Sequence, residues 1–355
     1  MYIVVMAGGK GTRFWPRSRT SIPKQLLDIV GEKTMIQETV ERVLPIASKD
    51  KILIVTNKEH INDLKSQLPD IPDRNIIVEP VGRNTAPCIC LAATRIHKQE
   101  PEEIMAVLPA DHYIGDAKAF CCFLEKAAEA ARLSNALVTI GISPQKPETG
   151  YGYIQFDEQS DSEHKGVYRA ISFHEKPDLK RAEEFLRQGN FLWNSGMFVW
   201  KASAILNEIK KHLPEIYSSI VNVEPLWDTP EVGAAIASAY EKIESISIDY
   251  GVMEKSGNVL TLKGDFDWND IGSWSAIHDI SEKDKDSNTL RGDVISVDSK
   301  DVLVYSPKKL TAVVGLRDVI VVETDDALLV CAMDKAQDVR KVVDMLEKRG
   351  RKEYL

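Results

Sequence analysis

The residues of this 355-residue chain best placed to do chemistry follow strand-like runs. "VVMAGGKGTRFWPRS" (4–18) carries an apolar, β-branched run into three glycines, then into Arg13 and Arg17, with Lys24 close behind in "IPKQLLDI". A backbone without side chains lets N–H groups approach anionic oxygens, and a guanidinium and an ammonium beside it balance their charge. The pattern therefore points to a polyphosphate, the alternative being an ordinary tight strand-to-helix turn with solvated basic residues. Two familiar phosphate loops do not fit: Lys10 has the wrong neighbours for a Walker A loop, and Arg13-Phe14-Trp15-Pro16 break a G-x-G-x-x-G fingerprint. No Ser/His/Asp or Cys/His arrangement for nucleophilic catalysis accompanies the loop.

The elements that must position this loop are legible in the first half of the chain. Short apolar runs, "YIVVMA" (2–7), "KILIVTN" (51–57), "IMAVLPADH" (104–112) and "ALVTIGIS" (136–143), alternate with the helix-period stretches "TMIQETVERVLPIA" and "FCCFLEKAAEAARL". This alternation predicts an α/β fold, a Rossmann-like mixed, mostly parallel sheet with helices on both faces. Ligands of such sheets collect at the carboxyl ends of strands, so the glycine loop and "LPADH" are expected side by side. From Tyr151 to about Trp200, "YGYIQF", "YRAISFHEKP" and "GMFVWKAS" predict a more antiparallel insertion, broken by the polar stretch Asp157 to Lys165. Charged "SEKDKDSN" (281–288) reads as a surface linker and divides the chain into domains 1–283 and 290–355. In the second, the short strands "DVISVD", "DVLVYS", "LTAVVG", "VIVVET" and "ALLVCA" precede an amphipathic helix, "QDVRKVVDMLEKR". They predict a small β-rich, β-helix-like C-terminal domain with a structural or oligomerisation role, and a homodimer is the expected assembly.

Composition narrows the function classes. A net charge of -9 disfavours nucleic acid and anionic membrane as partners, so positive charge must be local. No apolar run approaches the roughly 20 residues of a membrane span, and the start does not resemble a signal peptide; the expected location is cytoplasmic. Five cysteines without C-x-x-C or zinc spacing read as small buried hydrophobes.

"AGGKGTRFWPRSRTSIPKQLL" resembles the signature of the sugar-1-phosphate nucleotidylyltransferases, G-G-x-G-T-R-x-x-P followed by Pro-Lys. In Trp15-Pro16-Arg17-Ser18 and Lys24-Gln25 it is similar to the mannose-1-phosphate guanylyltransferases in particular. "EPVGRNTAPC" (79–88), "LPADH", "PETGYGYI" (147–154), "FHEKPD" (173–178), "WNSGMFVW" (193–200) and "DWNDIGSW" (267–274) resemble further motifs of that family in the same order.

The resemblance implies a nucleotide-diphospho-sugar transferase fold and transfer of a guanylyl group from GTP to mannose 1-phosphate, without the isomerase domain that longer relatives carry. A phosphomonoester is largely ionised at neutral pH, so the sugar phosphate needs no strong base; it needs charge relief and a metal, Mg²⁺. Asp111 and Asp270 are the implied Mg²⁺ carboxylates, although either could cap a turn or helix, and Asp265 and Asp267 lie close by. Arg13 and Lys24 are the implied catalytic cations. Gly8, Gly9, Gly11 and Thr12 would admit the nucleotide, and Asn84 and Thr85 would read its base unless "GRNTAP" is a simple turn. For the sugar phosphate the implied residues are Gly150, Glu175, Lys176 and Asn194, while Glu175 and Lys176 could instead form an ordinary surface pair. The alternatives are another nucleotide or hexose 1-phosphate, or a nucleotide-sugar-binding scaffold without catalysis.

Overall fold

The computed structural model describes residues 1–9, 11–160 and 166–355; Lys10 and the last five residues of the polar stretch 157–165 lie outside the described residues. The chain forms two compact units.

Unit 1 comprises residues 1–8, 39–110 and 114–268. Its sheet has nine strands: β1 (Tyr2–Ala7), β2 (Ile52–Asn57), β3 (Ile76–Glu79), β4 (Ile104–Pro109), β5 (Leu137–Ile142), β6 (Tyr153–Asp157), β7 (Val167–His174), β8 (Phe191–Lys201) and β9 (Val259–Gly264). Their spatial order is β3-β2-β1-β4-β8-β5-β9-β7-β6. The expected parallel half is β1 to β4, in which β1 pairs with β2 and β4, and β2 with β3. β8 runs antiparallel to β4 and β5, and β7 antiparallel to β6 and β9, as the alternation after Tyr151 predicts.

Consecutive residues Ile3, Val4 and Val5 are all fully buried, which requires cover on both faces of the sheet. The expected helix α1 (Met35–Val43) forms, as do α2 (Thr85–Gln99), α3 (Ala117–Ser134) and α4 (Ala202–His212). Val4, Val55 and Val107 share one core with Ile89 and Ile96 of α2 and Ile205 of α4, whereas α3 packs on β4, β5 and β8. Register aligns the carboxyl ends of the parallel strands: Ala7 lies opposite Thr56, Asn57 opposite Glu79, and Met6 opposite Pro109.

Unit 2 comprises residues 9–38, 111–113 and 269–355. After α5 (Trp274–Ile280) come β10 (Thr289–Val297), β11 (Leu303–Val314), β12 (Val319–Glu323) and β13 (Leu328–Ala332), then α6 (Val339–Lys348). β10, β11 and β12 are parallel and β13 is antiparallel to β12. "DVLVYS" and "LTAVVG", expected as separate strands, are one strand, β11. The register slips between Gly292 and Val294 of β10, so the residues after Ser306 bulge out without ending the strand. The segment 281–288 belongs to this unit and is a hydrogen-bonded turn, in which the Asp284 carboxylate accepts the N–H groups of Asp286 (2.9 Å) and Asn288 (2.8 Å).

Phe14, Trp15, Ile271 and Trp274 share a core with Leu303, Ile320 and Val322 of the small sheet and with Val339 and Val343 of α6. The segment after the first glycines is thus anchored by residues about 300 positions later in the chain. Arg17 and Arg19 form structural ion pairs: Arg17 bonds Asp28 at 2.6 Å and lies over the Tyr305 ring, and Arg19 bonds Asp326 at 2.8 Å. Cys88, Cys90 and Cys121 are buried as expected, whereas Cys122 is exposed. No helix among the described residues is long and apolar enough to cross a membrane.

Candidate functional site

In unit 2, a cleft of about 270 Å³ is lined by Gly11, Thr12, Arg13, Lys24, Asp111 and Asp270, with Phe14, His112, Ile271, Gly272 and Arg340 completing the wall. Six residues expected from three separate motifs therefore converge on one cavity. Asp265 and Asp267 do not line it.

Lys24 is the organising side chain. It opens a short 3-10 turn, Lys24–Leu26, and is only 4% exposed. Its Nζ donates to the Asp270 carbonyl at 2.8 Å and pairs with Asp111 Oδ2 at 3.0 Å. A lysine so desolvated needs such partners, because an uncompensated buried ammonium is costly. Desolvation pushes the Asp111 carboxyl up, but the Lys24 ammonium and His112 outweigh it and hold the group below the ordinary carboxylate range.

Gly11 lies in the left-handed region (φ 59°), and a Cβ there would collide with Lys24 Cβ and sit 2.8 Å from the Lys24 nitrogen. Glycine is required on both counts. Gly11→Ala is expected to destabilise the protein by about 2 kcal/mol or more, the cost of a left-handed alanine plus displacement of Lys24. Urea unfolding checks this, and an unchanged midpoint would refute it. Gly9 keeps its place through its carbonyl, which accepts from Gln25 Nε2 at 3.0 Å.

Beside Asp270 the backbone is strained. Ile271 is β-branched yet has φ 45°, held by full burial in the Phe14–Trp274 core and by its N–H donating to Asn269 Oδ1 at 2.8 Å. The packing thereby fixes the backbone that carries the Asp270 carboxylate and its Lys24-bound carbonyl.

The donor set of Asp111 and Asp270 is hard oxygen, which suits Mg²⁺. Among the described residues no cluster of three or more His, Cys, Asp or Glu side chains could hold a metal ion alone. Two carboxylates fit an ion whose remaining positions are filled by water and phosphate oxygens, the usual habit of Mg²⁺.

The other expected residues belong to unit 1 and form two groups. Gly8 follows β1, and a Cβ on it would lie 3.5 Å from Glu79 Oε2. Asn57 Nδ2 donates to the Gly8 carbonyl at 3.0 Å, while its own Oδ1 is buried without a hydrogen-bond partner. Glu79 is 4% exposed and its Oε1 accepts the Tyr240 hydroxyl at 2.9 Å. Burial raises the Glu79 carboxyl to about 7, against the opposing effect of that hydrogen bond. Asn84 and Thr85 occupy the start of α2: Asn84 Oδ1 accepts from Thr85 N at 2.9 Å, and Thr85 Oγ1 accepts from Ile248 N at 2.8 Å. Both side-chain oxygens thus hold the loop and helix start in shape.

In the second group, Lys176, at φ 46°, pairs with Glu175 through Nζ and Oε1. Asn194 is bound at both ends of its amide, with Nδ2 donating to Asp249 Oδ1 at 2.7 Å and Oδ1 accepting from Gly196 N at 3.2 Å. Burial raises the Asp249 carboxyl to about 6, with the Asn194 amide opposing and the Glu175 charge adding. The glycine in close approach to this group is Gly152, where a Cβ would collide with Glu175 Oε2; Gly150 N instead bonds Glu148 Oε1 at 3.2 Å. Trp193 is walled in by an edge-on contact with Tyr151.

Sequence reasoning did not single out Asn57, Glu79, Gly152, Asp249 or Arg340. Glu79 carried a signal, an acid ending an apolar strand directly before Pro80. Asp249 in "ISIDYGVMEK" carried none, since only folding brings it to Asn194.

A family model described as "Nucleotidyl transferase" matches residues 2–287, and one described as "MannoseP isomerase/GMP-like beta-helix domain" matches residues 292–346. The alginate biosynthesis protein AlgA of Pseudomonas aeruginosa is 41% identical over 99% of this chain and 73% of its own length. Mannose-1-phosphate guanylyltransferase 2 of Escherichia coli O157:H7 is 38% identical over 99% of this chain and 74% of its own length. A crystal structure described as a mannose-1-phosphate geranyltransferase from Thermus thermophilus superposes with a TM-score of 0.88 at 33% identity, covering 98% of this chain and 99% of that one.

Proposed function

This chain belongs to the nucleotidyl transferase family, and on that premise we propose that it transfers a guanylyl group from GTP to mannose 1-phosphate, giving GDP-mannose and pyrophosphate. The observation that carries the reading is the unit 2 cleft, where Arg13, Lys24, Asp111 and Asp270 converge around a glycine turn. The relatives named for guanylyl transfer to mannose 1-phosphate support the choice of substrates.

The chemistry is an in-line displacement. A phosphate oxygen of mannose 1-phosphate attacks the α-phosphorus, a P–O bond forms, and the bond to the bridging oxygen breaks with its electron pair leaving on pyrophosphate. The nucleophile is already ionised near neutral pH, so the step needs no strong base from the cleft. Arg13 offsets charge on the phosphates with a planar fork, and Lys24 with a fixed point charge; the Asp270 carbonyl and Asp111 prevent the lysine from swinging out. Asp111 and Asp270 would hold the Mg²⁺, whose contribution when bound is to neutralise and align phosphate oxygens. Gly8, Gly9, Gly11 and Thr12 give the nucleotide access to the backbone.

Guanine presents adjacent donors, N1–H and N2–H₂, and therefore calls for acceptors. Beside Gly8 stand two, the Glu79 carboxylate and the orphaned Asn57 Oδ1, which supports GTP over nucleotides with a different edge. Asn84 and Thr85 shape that loop. For the acceptor sugar, Glu175 and Asn194 bond hydroxyls, Asp249 fixes the Asn194 amide, Gly150 and Gly152 leave room, and Lys176 exchanges Glu175 for the sugar phosphate.

The test is pyrophosphate release with Mg²⁺ across GTP, ATP, dTTP and UTP against mannose 1-phosphate and glucose 1-phosphate. The expected maximum is GTP with mannose 1-phosphate. A maximum elsewhere would refute the specificity, and no release from any pair would refute catalysis.

A further inference from the structure

Arg340 stands apart from the other residues of the cleft because it comes from the closing helix of the β-rich C-terminal domain. It is the second residue of α6, and it lines the same cavity as Gly11, Arg13, Lys24, Asp111 and Asp270. Its placement is enforced by packing. Val339 and Val343, four residues apart and so on one helix face, are buried beside Phe14 and Trp15, the residues that directly follow Arg13. The helix is thereby fixed against the turn Thr12–Phe14, and Arg340, next to Val339, reaches the cleft.

Arg340 is exposed, and among the described residues it forms no ion pair or hydrogen bond. By contrast, Arg17 and Arg19 are held by carboxylates, and on the same helix Lys341 pairs with Asp338 at 2.9 Å. Within the cleft, Lys24 and Asp111 offset each other. Among the described residues that line it, the cations left uncompensated are Arg13 and Arg340. A triphosphate brings about four negative charges, and together with the carboxylates of Asp111 and Asp270 these exceed what Arg13, Lys24 and one divalent ion can offset.

We infer that Arg340 binds the β- and γ-phosphates of the nucleotide, the group that departs as pyrophosphate, so that the C-terminal domain completes the catalytic cleft. This inference rests on the reading of the cleft as a nucleotidyl-transfer site. The planar guanidinium suits two phosphate oxygens at once, and it stabilises the electron pair that the leaving pyrophosphate takes with it. The C-terminal domain then contributes chemistry as well as structure, and the reverse reaction depends on it equally, because pyrophosphate is there the incoming substrate.

The experiment measures binding of inorganic pyrophosphate with Mg²⁺ by calorimetry to the full chain and to its Arg340→Ala, Arg340→Gln and Arg340→Lys variants, alongside melting curves and steady-state kinetics. Arg340→Ala and Arg340→Gln are expected to weaken pyrophosphate binding about tenfold or more, with Tm unchanged because the side chain is exposed. KM for GTP rises, KM for mannose 1-phosphate does not, and Arg340→Lys recovers part of the loss. Equal pyrophosphate affinity in the wild type and both neutral variants would overturn the role of Arg340. A wild type that binds pyrophosphate through Arg340 but transfers no nucleotidyl group would overturn the functional reading instead.

Discussion

Asp111→Asn and Asp270→Asn are each expected to lower kcat for guanylyl transfer by about a thousandfold, near 4 kcal/mol of lost transition-state stabilisation. Both residues line the cleft, and each neutral amide would remove a charge that Mg²⁺ needs. Their effects on stability should differ. Lys24 Nζ bonds the Asp111 carboxylate but the Asp270 backbone carbonyl, which asparagine retains. Asp111→Asn therefore leaves a buried ammonium with a weaker partner and should cost roughly 1–3 kcal/mol, while Asp270→Asn should cost little from this source. The sign with pH follows: the Asp111 carboxyl is held below its unfolded value, so its contribution is present above that value and is lost as pH falls through the folded one. Kinetics over a Mg²⁺ titration, paired with urea unfolding, provide the check. Full activity in both variants would remove the metal assignment.

Glu79→Gln is expected to reduce kcat/KM for GTP about a hundredfold while narrowing or reversing the preference over ATP. A carboxylate can accept both N1–H and N2–H₂ of guanine, whereas an amide turns a donor toward a donor. A second, opposite effect comes from linkage. Burial raises the Glu79 carboxyl from 4.5 to about 7 in the folded chain, so ionising it opposes folding. The penalty is absent below the unfolded value, grows through the window between the two, and is complete above about pH 7, where it amounts to roughly 3 kcal/mol. Glu79→Gln should consequently stabilise the nucleotide-free protein at pH 8 and change it little at pH 4. Wild-type KM for GTP should rise as pH drops below 7, and that rise should vanish in the variant. Denaturant midpoints at the two pH values and a GTP pH profile test the pair; a variant with wild-type nucleotide preference would show that Glu79 does not face the base.

Much of the machinery is legible in the residues because its parts are local. A glycine that must adopt φ 59°, an aspartate just past an apolar strand and a lysine after Pro23 each depend on a few neighbouring residues, and the motif order keeps them together. Cys122 and the pair of strands that merge into β11 went astray for the opposite reason: exposure on one helix face, and continuity of a strand across a bulge, are set by partners distant in sequence. Gly150 and Gly152 are equivalent in a string of letters, and only the approach of Glu175 and Asn194 separates them.

What the sequence determined by itself is the alternation of strands and helices, the glycine turn after the first strand, and the identity of the charged groups, since each follows from period, turn chemistry and residue type. Tertiary structure decided which of those groups meet. The core shared by Phe14, Trp274, Leu303 and Val339 assigns residues 9–38, Asp111 and the chain from Asn269 onward to one compact unit. That same packing engages Lys24 with two aspartates remote in sequence, strains Ile271 beside one of them, and delivers Arg340 to the cleft. Burial then raised Glu79 and Asp249 toward neutrality, a property no isolated carboxylate has. Such convergence depends on packing between residues hundreds of positions apart, which local sequence pattern does not encode.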